Sequence, residues 1–130
     1  MLELTMAAVT AQEAGSTAGM VMVTVRSNPG MVVWVGRDRE QCRLATPADW
    51  LFVSRAHLEF RCLPDASWTV TWHRGSQDDP AGEVRLAQGG WTGPLPYGST
   101  AALPRGGAGE VVIQDRMAPR SVNIGWYHEG

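Results

Sequence analysis

The segment Val21–Gly36 reads VMVTVRSNPGMVVWVG. Its first half alternates and is β-branched, its second half is a short apolar run, and SNPG (Ser27–Gly30) between them carries proline and glycine where a tight turn wants them. The two halves are expected to be strands, and on this reading they form a hairpin. The same rhythm continues along the chain. QCRLAT (Gln41–Thr46), HLEFRCL (His57–Leu63), SWTVTWH (Ser67–His73), GEVRLA (Gly82–Ala87), TAALP (Thr100–Pro104), EVVIQD (Glu110–Asp115) and SVNIGWY (Ser121–Tyr127) follow with turn residues between them. No window sustains a 3.6-residue apolar period, and Pro47–Phe52 has room for one helical turn at most. The spacing predicts an all-β, two-sheet antiparallel sandwich.

Two regions depart from that rhythm. Thr10–Gly19 reads as a flexible link behind a possible first strand, Leu2–Val9, so residues 1–19 are taken as an N-terminal extension and 20–130 as the sandwich domain. Leu86–Gly109 is rich in glycine and proline, and is expected to be ordered loop around one short strand. Leu2–Val9 and Ser121–Tyr127 are both strand-like, and their pairing would close a sheet edge against aggregation.

Composition narrows the function classes. The chain has 130 residues, 44% hydrophobic and 18% charged, which suits one domain with a real core and excludes a disordered or coiled-coil protein. No apolar run reaches the ~18–20 residues of a membrane helix, so membrane insertion is not expected. A formal charge of -2 argues against a bulk nucleic-acid binder. All eleven basic residues are arginine, whose fork holds phosphate or carboxylate bidentately. Cys42 and Cys62 are too few for a disulfide scaffold and read as small buried hydrophobes, and the N-terminus lacks the pattern of a signal peptide. A cytoplasmic setting with reduced thiols is the expectation.

The chemistry concentrates in Gly36–His57, GRDREQCRLATPADWLFVSRAH. It places Arg37, Ser54 and Arg55 on loops or strand ends of a rigid scaffold, where binding residues commonly sit. Taken alone, these three would read as a solvated charged edge with a turn-forming serine. Together, two guanidiniums and a hydroxyl can surround a phosphomonoester dianion with charge-assisted hydrogen bonds.

Gly36-Arg37, then Ser54-Arg55-Ala56-His57, then the tryptophan strand at Trp68 occur in the order of a known pattern, and LPRGGAGEVVI, with Glu110 near an acidic position, matches its closing strand. Over roughly Val21 to Ile113 the chain resembles the forkhead-associated (FHA) domain, a β-sandwich that reads phosphothreonine. The resemblance implies that Arg37 and Ser54 bind phosphate directly and that Arg55 assists. It implies an architectural His57, hydrogen-bonded within the binding loops, and a Gly36 that lets the chain turn so that Arg37 faces the site. The family's G-S-x-N-G segment corresponds here to Gly75-Ser76-Gln77-Asp78-Asp79, with Gln77 and Asp78 as expected peptide contacts. Asp78 replaces an asparagine and can accept but not donate. Asp78 and Asp79 would face the incoming dianion or select basic residues beside it.

No cofactor, metal or catalytic residue is called for. Cys42, His57, Cys62 and His73 lack zinc-ligand spacing, Cys62 has no orienting partner for nucleophilic chemistry with His57 or His73, and Gly106–Gly109 lacks the ending of a phosphate loop. The expectation is a non-catalytic phosphothreonine-peptide reader downstream of a Ser/Thr kinase, with a phosphothreonine-containing protein as partner. The alternative is a phosphate-independent assembly module on the same scaffold, using the loop aromatics Trp50, Trp91 and Tyr97 as anchors.

Overall fold

A computed structural model describes residues 1–10, 20–75 and 79–129. Eleven strands run along these residues in chain order: β1 Leu2–Thr10, β2 Val21–Val25, β3 Val32–Gly36, β4 Leu44–Ala45, β5 Leu58–Cys62, β6 Trp68–Trp72, β7 Gly82–Gln88, β8 Trp91–Leu95, β9 Thr100–Leu103, β10 Ala108–Asp115 and β11 Arg120–His128. They form a six-stranded sheet in the order β2-β1-β11-β10-β7-β8 and a five-stranded sheet in the order β4-β3-β5-β6-β9. Every pairing is antiparallel except the short parallel contact of β3 with β4. Among the described residues there is no helix, hence none long and apolar enough to cross a membrane.

Alternation decides what each strand buries. Leu2, Leu4 and Met6 of β1, Val122, Ile124 and Trp126 of β11, and Val111 and Ile113 of β10 face inward from the six-stranded sheet. Val33, Val35, Leu58, Phe60, Trp68, Val70 and Trp72 face them from the other, and the two sets make one continuous core. Trp68 also donates its indole N–H to Ser27 Oγ at 2.9 Å, so the largest buried ring is satisfied at the crossing between the sheets.

Three expectations about the fold change. The SNPG turn forms, with Met31 N–H donating to Asn28 O at 3.0 Å and Gly30 at φ +88°, a backbone shape glycine adopts without strain. It does not close a hairpin, however: β2 pairs with β1 in one sheet and β3 with β5 in the other, so the turn is a crossing between layers. Leu2–Thr10 and the C-terminal strand do pair, in register from Leu2 opposite His128 to Thr10 opposite Arg120. They lie inside the six-stranded sheet, whose edges are β2 and β8, and so do not guard an edge. Finally, the glycine-proline stretch holds β8 and β9 as well as the ends of β7 and β10. Pro94 hid β8; it is tolerated because β8 is an edge strand, paired only with β7, where a missing N–H breaks no ladder on the open side. Of the expected flexible link, Thr10 ends β1 and the remainder lies outside the described residues, as do Gln77 and Asp78.

Candidate functional site

Gly36 ends β3 against the Ser54–Arg55 turn. Arg37 N–H donates to Ser54 O at 3.1 Å, Asp38 N–H to Arg55 O at 3.1 Å, and the Cys42 thiol to Arg55 O at 3.0 Å. The two backbones are so close that a Cβ on residue 36 would stand 2.2 Å from Arg55 O and 2.9 Å from Ser54 O. Glycine is therefore needed here for close approach. Gly36 is absent from the residues at positive φ, so it is this close approach, not a left-handed backbone, that requires glycine here.

Arg37 Nε donates to Val53 O, one peptide bond before Ser54, which lays the guanidinium along the turn. Its amino groups have no protein partner among the described residues. His57, 2% exposed, closes the turn from behind. Ser54 N–H donates to His57 Nδ1 at 2.9 Å, and Ser54 Oγ lies 3.2 Å from the same nitrogen. A ring nitrogen that accepts from a backbone N–H carries no proton, so the neutral ring is protonated at Nε2. Burial pushes the His57 pKa down to about 4, which keeps the ring in that state at neutral pH. The ring stacks on Trp72 at 5.5 Å. With Nδ1 unprotonated, the Ser54 hydroxyl is the donor in the second contact, so Nδ1 is shared by the Ser54 N–H and O–H and both Oγ lone pairs stay open.

These groups line one cleft of about 480 Å³. Arg37, Ser54 and Arg55 make its polar end, and Leu51, Phe52, Pro80, Ala81 and Tyr97 supply apolar wall. The loops around it are tied together. Gly75 N–H donates to Tyr97 Oη at 2.7 Å, and Tyr97 packs on Trp72 at 4.9 Å. Arg116 pairs with Asp79 at 3.0 Å and donates to Pro80 O at 3.1 Å. Arg120 bridges buried Asp115 at 2.8 Å and lies over both Trp50 and Phe52 at 5.3 Å. On another wall, His73 packs against Trp34 at 4.7 Å, with Nε2 3.3 Å from Glu59 Oε2. The Glu59 carboxyl is held below the usual range, first by its hydrogen bond from Arg61.

The fold thus brings Arg37, Ser54, Arg55 and His57 to one place and puts Gly36 beneath them. Asp79 is paired with Arg116 at 3.0 Å in an exposed ion pair, which offsets part of its charge toward an incoming anion. Trp50 is corrected. It is 9% exposed and part of the core, and cannot be a partner anchor, whereas Trp91 on β8 is 52% exposed. Sequence reasoning gave no role to Arg116 or Arg120, because cation–π and cross-loop ion pairs leave no local pattern. Tyr97 was visible as an isolated aromatic, though not its grip on Gly75.

No protein-family model matches the sequence. No curated protein matches it either. Solved structures do. An engineered FHA with a Myc-pTBD peptide matches with a TM-score of 0.60 at 11% identity, covering 98% of this chain and 92% of that one. The N-terminal FHA domain of Rad53p from S. cerevisiae, in complex with a phosphothreonine peptide, matches with a TM-score of 0.58 at 9% identity, covering 99% of this chain and 94% of that one. The chain has the FHA fold. The match runs through β1 and β11, since so little of the chain lies outside it. On the FHA scaffold of this chain, the cleft opens where loops from both sheets meet.

Proposed function

We propose that this FHA-fold protein is a non-catalytic reader of phosphothreonine peptides, which dock in the cleft headed by Arg37 and Ser54. The observation that carries the reading is the turn at Ser54. Guanidinium amino groups of Arg37 that have no partner among the described residues, and the Ser54 hydroxyl, whose hydrogen bond to His57 a bound phosphate could replace, stand at one end of the cleft, with a buried neutral histidine and a glycine contact holding the turn. Donors held in place in this way suit a compact dianion. Two of the FHA structures with this fold were solved with peptides, one of them a phosphothreonine peptide, which supports the same reading. The reading carries with it an upstream Ser/Thr kinase and a cytoplasmic setting, where phosphoproteins and two unpaired buried thiols coexist. It needs no catalytic group: burial pushes both the Cys42 and Cys62 thiols up, away from the reactive thiolate. Gln77 and Asp78 belong to the proposal as peptide contacts on the sequence pattern alone.

Fluorescence polarisation against phosphothreonine, phosphoserine and unphosphorylated peptide pools tests this. Binding should be phosphothreonine-selective, and Arg37→Ala should lose ~2–5 kcal/mol, the cost of leaving one partner of a charged contact unpaired. Equal binding by Arg37→Ala and wild type would remove the site from this cleft.

Trp91 motivates a second reading, phosphate-independent assembly, because its indole lies over Gly93 of the edge strand β8 and is still half-exposed, a large aromatic surface for a partner to cover. It predicts an association that survives phosphatase treatment and is lost in Trp91→Ala.

A further inference from the structure

We propose that the Ser54–Arg55 turn serves a second anion subsite on its other flank, so that preferred targets carry a second acidic group close to the phosphothreonine. The inference rests on the phosphothreonine reading and adds the chemistry of the flanking residue. A second, smaller cleft of about 280 Å³ is lined by Arg37, Asp38 and Arg55. Arg37 and Arg55 line the main cleft too, so the turn is a partition whose two arginines border both clefts.

The partition is rigid. Residues 37, 38 and 42 are each hydrogen-bonded to the backbone of Ser54 or Arg55, as described above. Positions prepared in this way lose little freedom on binding, which favours a specific site over a loose cationic patch. Arg39 and Arg43 are exposed in the segment between β3 and β4, alongside Asp38 and exposed Glu40, so the segment that flanks the turn carries three arginines, Arg37 included, against two acids. Among the described residues none of these three, nor Arg55, has a carboxylate partner, whereas Arg61, Arg116 and Arg120 each have one.

Asp38 is the acid within the small cleft. Its Oδ1 accepts from Glu40 N–H at 3.0 Å, so that oxygen is spent on its own turn. On a chain whose formal charge is -2, two arginines against the one Asp38 carboxylate still leave the lining of the small cleft net positive. One phosphate in the main cleft can face the two forks from one side only. A phosphate or carboxylate on a neighbouring residue would meet them from the other.

The test is a peptide series with one phosphothreonine and a second group, phosphoserine, glutamate or alanine, placed one to four residues away on either side. Affinities are read by fluorescence polarisation at low and high salt, with wild type and Arg55→Gln. At one or two spacings the phosphoserine should tighten binding by ~tenfold, and raising salt from about 0.05 to 0.5 M should shrink that gain. Arg55→Gln should lower the ratio of doubly to singly charged peptide affinity. A gain from phosphoserine alone makes the target doubly phosphorylated; an equal gain from glutamate makes acidic sequence sufficient. If single phosphothreonine peptides bind and respond to Arg37→Ala, but the second acid helps at no spacing or the ratio is unchanged in Arg55→Gln, the subsite is refuted and the reader stands. An unphosphorylated acidic peptide binding as tightly would reduce the effect to bulk charge and overturn the subsite. If no phosphothreonine peptide binds at all, the reader itself fails and takes the subsite with it.

Discussion

His57 acts through its neutral form, because only an unprotonated Nδ1 can accept the Ser54 N–H. Its folded pKa near 4 lies below the ordinary 6.5, so the unfolded chain binds the proton more readily. Stability is therefore full above pH ~6.5, falls as pH drops through the window down to about 4, and levels off below it. At ~1.4 kcal/mol per unit the loss is on the order of 3 kcal/mol. Denaturant unfolding of wild type and His57→Gln across pH 4–7 checks this: the slope should be shallower in the variant. Gly36 offers a second residue-scale test. An added Cβ meets backbone oxygens, which cannot swing aside like a side chain, so Gly36→Ala should cost ~3 kcal/mol, the upper end for overpacking. The same change should weaken phosphopeptide binding, since the Ser54 turn must move. A variant as stable as wild type would mean that the two backbones separate easily.

At the scale of elements, β1 and β11 look peripheral in the chain and are central in the sheet. β1 has β2 on one side and β11 on the other, and Leu2, Leu4 and Met6 are buried with Val122, Ile124 and Trp126 across the ladder. Hydrogen exchange should therefore be slow from Leu4 to Ala8 and from Val122 to Trp126, and faster in the edge strands β2 and β4. Residues 20–130 without Leu2–Thr10 should not fold, because removing a central strand strips an apolar face and exposes two unpaired ladders. Circular dichroism and thermal unfolding of that fragment decide it; a cooperative transition near that of the full chain would show the strand to be dispensable.

At the scale of the whole molecule, the two sheets were legible because alternation repeats at every strand and the turn residues punctuate it. Arg37, Ser54, Arg55 and His57 were legible as a group because their spacing matches a known pattern, and the fold does bring them together. β8 was not legible: a proline inside a strand is allowed only at an edge, and edge position is a property of the assembled sheet. The burial of Trp50 depends on Arg120 and the core arriving from seventy residues away, which no local window contains. The pairing of Asp79 with Arg116 is of the same kind.

Read alone, then, the residues determine most of the strands, which face of each is buried, and which short motif resembles a phosphate-binding pattern, because these depend on neighbours two to twenty positions apart. The tertiary structure decides which strand each one pairs with. VMVTV and MVVWV have complementary faces and a good turn between them, yet they join different sheets, because β1 and β5 offer each a longer-range partner. It also decides what Gly36 is for. The need for a missing Cβ exists only once the Ser54–Arg55 backbone, nearly twenty residues later, has been laid against it.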